Sequence, residues 1–155
     1  MKKVCYYTFI LFVGCFAFQC TNEEAARLCC GPPPCSEKNT LTGTWRLTAF
    51  ENITTGALDA DPDPDGRGVV FTLKDDTRAG TIEGHTVANQ VYGAYTLISG
   101  CTIEIKSFGG SKVGEPKWSG KAWLASSQGT YSVQGETLKI TFKNALESMV
   151  FKKSK

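Results

Sequence analysis

From Leu41 onward hydrophobic and polar residues alternate along most of the chain, and Gly, Asp and Asn cut the alternation at short intervals. A period of two throws successive side chains to opposite faces of an extended strand, so the pattern is that of half-buried β structure. Segment 44–50 comes first, with Trp45, Leu47 and Ala49 predicted to share one face. Segment 69–73 follows and ends at the Asp75-Asp76 turn, and a third strand spans 80–84. Segments 92–98 and 102–106 flank Ser99-Gly100-Cys101 as a tight hairpin, with Ile103 and Ile105 facing inward. The clearest hairpin joins 130–133 to 137–142 around Gln134-Gly135-Glu136, and a last strand, 148–152, follows the turn 144–147. Helical spacing occurs only in 116–126, where Pro116 suits a first turn and Trp118, Ala122 and Ala125 recur at intervals of four and three. Gly120 weakens that helix, and Trp123 points away from its apolar face. The expectation is a mainly β fold with one short helix, its antiparallel sheet closing into a small barrel or sandwich.

The first residues obey a different rule. Lys2 and Lys3 precede an apolar run, 4–18, of 15 residues. A helix needs roughly 20 residues to span a bilayer core, so the run reads as an export signal, 1–19, and not as a membrane span. Its end resembles a bacterial lipoprotein signal, in which cleavage precedes a cysteine that receives lipid. Cys20 is the expected site, because all apolar sequence lies upstream and Thr21-Asn22-Glu23-Glu24 follows like the acidic tether of surface lipoproteins. Cys15, preceded by the small Gly14, is the alternative. This resemblance implies a protein of the cell envelope, lipid-anchored to the outer membrane and either periplasmic or surface-exposed.

Charge narrows the partners. The chain has 17 Lys+Arg against 15 Asp+Glu, and removing 1–19 takes away Lys2 and Lys3, which leaves 15 against 15. Gripping a phosphate backbone needs clustered basic side chains, so nucleic acid is excluded as the main partner. A neutral mature chain also has no electrostatic pull toward anionic lipid, so membrane attachment falls to the acyl chains. Residues 20–40 form a Cys- and Pro-rich tether centred on Gly31-Pro32-Pro33-Pro34. An exported chain meets an oxidising compartment, so Cys29, Cys30, Cys35 and Cys101 are disulfide candidates. Cys35 is expected to pair with Cys29 or Cys30, and the one left over with Cys101; four cysteines allow three pairings.

Few residues suggest chemistry. Asp61, Asp63, Asp65 and Gly66 match the first half of a calcium loop, but position twelve is Thr72 where a bidentate Glu would stand, and two prolines stiffen the segment. They make a weak calcium candidate beside the simpler reading of a solvated acidic loop. His85 is the sole imidazole, at a strand end and without a nucleophile motif. Glu83, Glu104 and Glu115 would have to converge to form a glycosidase pair. Trp45, Trp118, Tyr92, Tyr95 and Tyr131 have spacings that suit core packing more than a ligand cleft, and Trp123 is the aromatic expected at the surface.

Residues 41–152 resemble the META domain family, which includes the HslJ-type proteins of bacteria. The likeness begins at Leu41-Thr42-Gly43-Thr44-Trp45-Arg46-Leu47 and continues through Asn89, Gly93-Ala94-Tyr95, Ile103 and Ile105. It extends over Glu115, Trp118 and Leu124 to the terminal hairpin Tyr131-Ser132-Val133-Gln134-Gly135-Glu136-Thr137-Leu138-Lys139-Ile140. Ala88 stands where the family often has Cys, and Lys106-Ser107-Phe108-Gly109-Gly110 replaces its Thr-rich strand. The resemblance implies a META-type β domain over 41–155 with no catalytic residues and no cofactor, in an envelope protein tied to stress tolerance and envelope integrity. Gly43-Thr44-Trp45 also looks like the opening of a lipocalin, which implies instead a carrier of a small apolar ligand. The helix before the final hairpin favours META. The protein or small-molecule partner is open in either reading.

Overall fold

The computed structural model describes residues 35–36, 39–124 and 127–154. The signal 1–19, Cys15, Cys20, Cys29, Cys30 and the proline run 32–34 lie outside these. Alternating segments become strands: β1 (Gly43–Asn52), β2 (Leu58–Ala60), β3 (Val70–Asp75), β4 (Ala79–His85), β5 (Gln90–Ile98), β6 (Thr102–Gly110), β7 (Gln128–Gln134), β8 (Thr137–Phe142) and β9 (Glu147–Lys153). Their order is β2-β1-β3-β4-β5-β6-β7-β8-β9 in one antiparallel sheet, and β1 also pairs with β9, so the ladder returns on itself as a ring. β1 can serve three partners because its length is shared. Residues 43–46 pair with β3 and 49–51 with β2 along one edge, while 45–52 pair with β9 along the other.

The ring encloses a core of Trp45, Leu47, Phe50, Phe71, Ile82, Tyr95, Ile103, Ile105, Leu138, Ile140 and Phe151, each at most 4% exposed. Ala49 departs from the alternation. A bulge between Leu47 and Ala49 gives Thr48 no cross-strand partner and reverses the phase of the rest of β1. Ala49 then sits opposite the outward Val150, while Phe50 faces Met149 and joins the core cluster. Thr48 uses its freedom: its Oγ1 donates to Val150 O at 3.1 Å and its carbonyl accepts Asp61 N–H at 2.8 Å.

Segment 102–106 proves longer than its alternation indicated, and residues 107–110 continue β6 beside β5 across a second bulge. The predicted helix 116–126 contracts to a single turn, α1 (Lys117–Gly120). Pro116 supplies no side-chain cap and Gly120 disfavours propagation, so nothing extends the turn. Trp118 packs edge-on against Phe50 at 5.2 Å and Ala122 is buried, as their spacing predicted; Ala125 lies outside the described residues.

The pairing of Cys35 is a correction. It bonds Cys101 and neither Cys29 nor Cys30. Both partners are laid against β7: Cys35 O accepts Val133 N–H at 2.6 Å, and Cys101 O accepts Tyr131 N–H at 2.8 Å. Their Cα atoms stand 5.2 Å apart, within the span that a bridge requires. What the sequence marked as the end of a tether is therefore stitched to the sheet, with Ser36 only 5% exposed and Leu41 fully buried.

Replacing Cys35 with Ser opens a loop of 66 residues and is expected to lower unfolding free energy by roughly 4 kcal/mol on chain entropy. Urea denaturation of the oxidised protein and the C35S variant measures this. A change below about 1 kcal/mol would mean that segment 35–41 holds without the bridge.

Candidate functional site

Three carboxylates are gathered in by backbone and hydroxyl donors, and each fastens a connection to the ring. Asp75, at the end of β3, accepts Thr40 Oγ1 and Thr77 N–H on Oδ1, and Leu41 N–H and Tyr95 Oη–H on Oδ2. Gly80 makes room for this, since a β-carbon there would collide with the Tyr95 ring. Burial pushes the Asp75 carboxyl up, but the four hydrogen bonds outweigh it and hold the group below its ordinary value. Burial and the Asp75 charge raise Tyr95 in turn, so its hydroxyl stays protonated and donating.

Glu115 is the second knot. Its carboxylate accepts Thr86 Oγ1 at 2.6 Å, Ser119 Oγ at 2.6 Å, Asn89 Nδ2 and Ala88 N–H. Asn89 completes the knot by donating to Val113 O and accepting Val113 N–H and Ser111 Oγ–H. The turn 86–89 and the segment 111–119 are thereby held together. Burial raises Glu115, yet the donors from Ser119, Thr86, Asn89 and Ala88 prevail and lower it.

Asp61 is the third, and it meets an arginine. Arg46 donates to Asp61 Oδ2 at 3.0 Å and to the carbonyls of Asp63, Gly66 and Arg67. The oxygen-rich loop that resembled half a calcium site thus closes around a guanidinium. The Asp63 and Asp65 side chains remain exposed. Among the described residues no three His, Cys, Asp or Glu side chains stand together as metal ligands. A cation entering the loop would have to displace Arg46.

The other candidates are apart from one another. Glu83 pairs with Lys74 at 3.7 Å and Glu104 with Lys106 at 2.8 Å, so neither shares a partner with Glu115. His85 follows Glu83 and Gly84 at the end of β4, and its Nδ1 lies 3.2 Å from the Thr86 carbonyl oxygen, not from that residue's hydroxyl. Inside the ring, the space between Trp45, Phe71, Ile82, Ile105, Leu138 and Phe151 amounts to about 10 Å³, room for one water-sized sphere. A pocket for a small apolar ligand takes ≈ 300–1,000 Å³.

Surface concavities are roomier: one of about 420 Å³ lies beside Glu104, Lys106 and Gln128, and another lies at the end of the ring opposite Cys35, between the connection after α1 and the turn 143–146. The second measures about 350 Å³ and is lined by Phe50, Lys121, Trp123, Phe142, Leu146 and Met149 among others. Trp123 is 37% exposed, as its position predicted, and stands edge-on to Phe108 at 5.2 Å. Lys121 spans the floor, bonding Asp59 at 2.9 Å and Glu147 at 2.7 Å, with its Nζ 4.2 Å from the Phe50 ring centre. Sequence reasoning passed over Arg46, Asp75 and Lys121, because each acts on a residue far away in the chain.

No protein-family model matches the chain and no curated protein does. Among solved structures it is similar to the NMR structure of a protein from Burkholderia xenovorans, with 21% sequence identity, a TM-score of 0.54, and coverage of 72% of this chain and 81% of that one. At that identity the likeness speaks to fold alone.

Glu115→Gln leaves one acceptor facing four donors and is expected to cost about 1–3 kcal/mol at pH 7. The folded protein holds this carboxylate below its unfolded value of about 4.3, so its contribution is complete above that value and drains away as pH falls through the folded one. Thermal melts from pH 7 to pH 3 should therefore show the E115Q deficit shrinking at the acid end. A deficit that stays constant with pH would contradict the ionised knot.

Proposed function

We propose that this chain is a META/HslJ-type β domain held at the cell envelope by lipid on Cys20, working by binding or structural support and not by catalysis. The observation that carries the reading is how the polar groups are spent. Asp75 and Glu115 each accept from four internal donors, Asp61 is paired with Arg46, and the sole histidine meets a carbonyl. Catalytic carboxylates differ, since they must keep a lone pair or a proton for substrate. The motif order from Leu41-Thr42-Gly43-Thr44-Trp45 to the Gly135 hairpin supports the META assignment, in step with a closed antiparallel sheet. The Cys35–Cys101 bridge supports export, because disulfides of this kind persist in oxidising compartments. The filled interior weighs against the lipocalin-like carrier, for which a ligand has to enter the ring.

Lipidation is the decisive element and is directly measurable. Mass spectrometry of the N-terminal peptide from bacterially expressed protein should find Cys20 as the first residue, carrying acyl chains, and Cys20→Ser should move the protein from the membrane to the soluble fraction. An acylated Cys15 would relocate the anchor. Unmodified thiols at both positions would end the claim.

A further inference from the structure

β7 outruns one of the strands that flank it. β6 begins at Thr102, opposite Thr130, so residues 131–134 continue past its end. β8 pairs with them along one edge. Along the other edge, Tyr131 N–H donates to the carbonyl of Cys101 in the turn before β6, and Val133 N–H donates to the carbonyl of Cys35 at 2.6 Å. Cys35 thus stands where a further residue of β6 would stand, and it covers an overhanging edge that would otherwise invite another strand. The cover is held to the sheet by the bridge to Cys101 and by the Val133 bond. Ser36 is buried but small and polar, and its hydroxyl donates to Thr40 O within the same entering segment, so lifting Cys35 and Ser36 exposes little apolar surface. From Thr40 onward the anchorage is separate. Thr40 Oγ1 and Leu41 N–H donate to Asp75, Trp45 Nε1–H donates to Leu41 O at 2.8 Å, and Leu41 is fully buried. None of these contacts involves either cysteine, and the β1–β9 seam lies on other strands.

We propose that the Cys35–Cys101 bridge is a redox latch: its reduction by a dithiol lifts Cys35 and Ser36 from β7, bares the edge 131–134 and two thiols, and leaves the ring closed. This goes beyond the function proposed above and does not depend on lipid at Cys20. Access favours it, since both cysteines are half-buried and Ser99 and Gly100, in the turn with Cys101, are exposed. In the reaction a thiolate of the dithiol attacks one sulfur of the bridge, and the other sulfur leaves as a thiolate. The second thiol of the reagent then attacks the mixed disulfide and releases the first cysteine. The bridge takes up two electrons and two protons, and the dithiol gives them up as it closes to its own disulfide. Relatching reverses the exchange. The short span from Cys35 to the anchor at Thr40 keeps the two thiols near each other, so closing is the intramolecular step. Segments with few buried apolar contacts open locally at low cost while the rest of a fold stays intact, and the latched residues are of that kind.

The test exposes the full mature chain to millimolar dithiothreitol, a small dithiol, at neutral pH without denaturant. Differential alkylation and the mass of the peptide containing Cys101 report reduction, and amide hydrogen exchange reports opening. The native protein should be reduced completely, with the Val133 amide exchanging about a hundredfold faster or more, while the amides of the β1–β9 seam keep their protection and thermal melting stays cooperative. Oxidised glutathione should re-form the bridge and restore slow exchange at Val133. Cys35→Ser should show the fast Val133 exchange without reductant and no further response to it, and Cys101→Ser takes its place should that variant fail to fold. Reduction that occurs only as the ring unfolds, loss of seam protection together with that of Val133, or Val133 protection indifferent to reduction would each overturn the proposal. So would a bridge that does not re-form, or failure of both variants to fold. The anchoring reading fails separately, on the mass of the N-terminal peptide, whatever the bridge does.

Discussion

The pairing of β1 with β9 governs the rest of the structure. A sheet left open between its first and last strands would offer two unpaired edges and a face of Trp45, Leu47, Phe71 and Phe151 to water. Closing it satisfies both rows of backbone groups together and turns that face into an interior. The seam is long, from Trp45 opposite Lys153 to Asn52 opposite Glu147, and Ser154 N–H prolongs it to Thr44 O. Its bulge at Thr48 brings Phe50 inward, where it supports Trp118 and so seats α1.

Closure also explains where the polar chemistry went. A small ring filled by aromatic and branched side chains keeps ionisable groups out of its interior, so they stand on the outer faces of the strands and at the rims. There Asp75, Glu115 and Asp61 each gather donors from a connection that would otherwise be loose. Asp75 ties the entering segment at Thr40 and Leu41 to the end of β3; Glu115 ties the 86–89 turn to the crossing connection; Asp61 and Arg46 close the acidic loop onto β1. A saturated carboxylate at a rim serves as a fastening.

Local order was legible in the sequence, and distant order was not. Thr137–Phe142 matches its predicted bounds because clean alternation follows Gly135, whose φ of 57° fits the turn before it. The bulge at Thr48 left no trace in the alternation, since its cause is the register against β9, a hundred residues away. Segment 116–126 has helical spacing, yet Trp118 and Ala122 are placed by Phe50 and the ring beneath them and need one turn only. Cys35 seemed closest to Cys29 and Cys30 along the chain, while in space β7 sets it beside Cys101. The acidic loop read as solvated, with a weak calcium candidate in it, because its partner, Arg46, reads as an ordinary outward residue of a strand. Of the concavity beside Phe50 and Lys121, only Trp123 could be picked out, by pointing away from the helix face.

Native-state hydrogen exchange probes the seam most directly. If closure holds the ring together, amide protons bonded between β1 and β9 exchange only through global unfolding, with the same free energy and denaturant dependence as the central amides of β4 and β5. Exchange at the seam through a low-energy opening, while β4 and β5 stay protected, would show that the ring stands without it and would contradict the account.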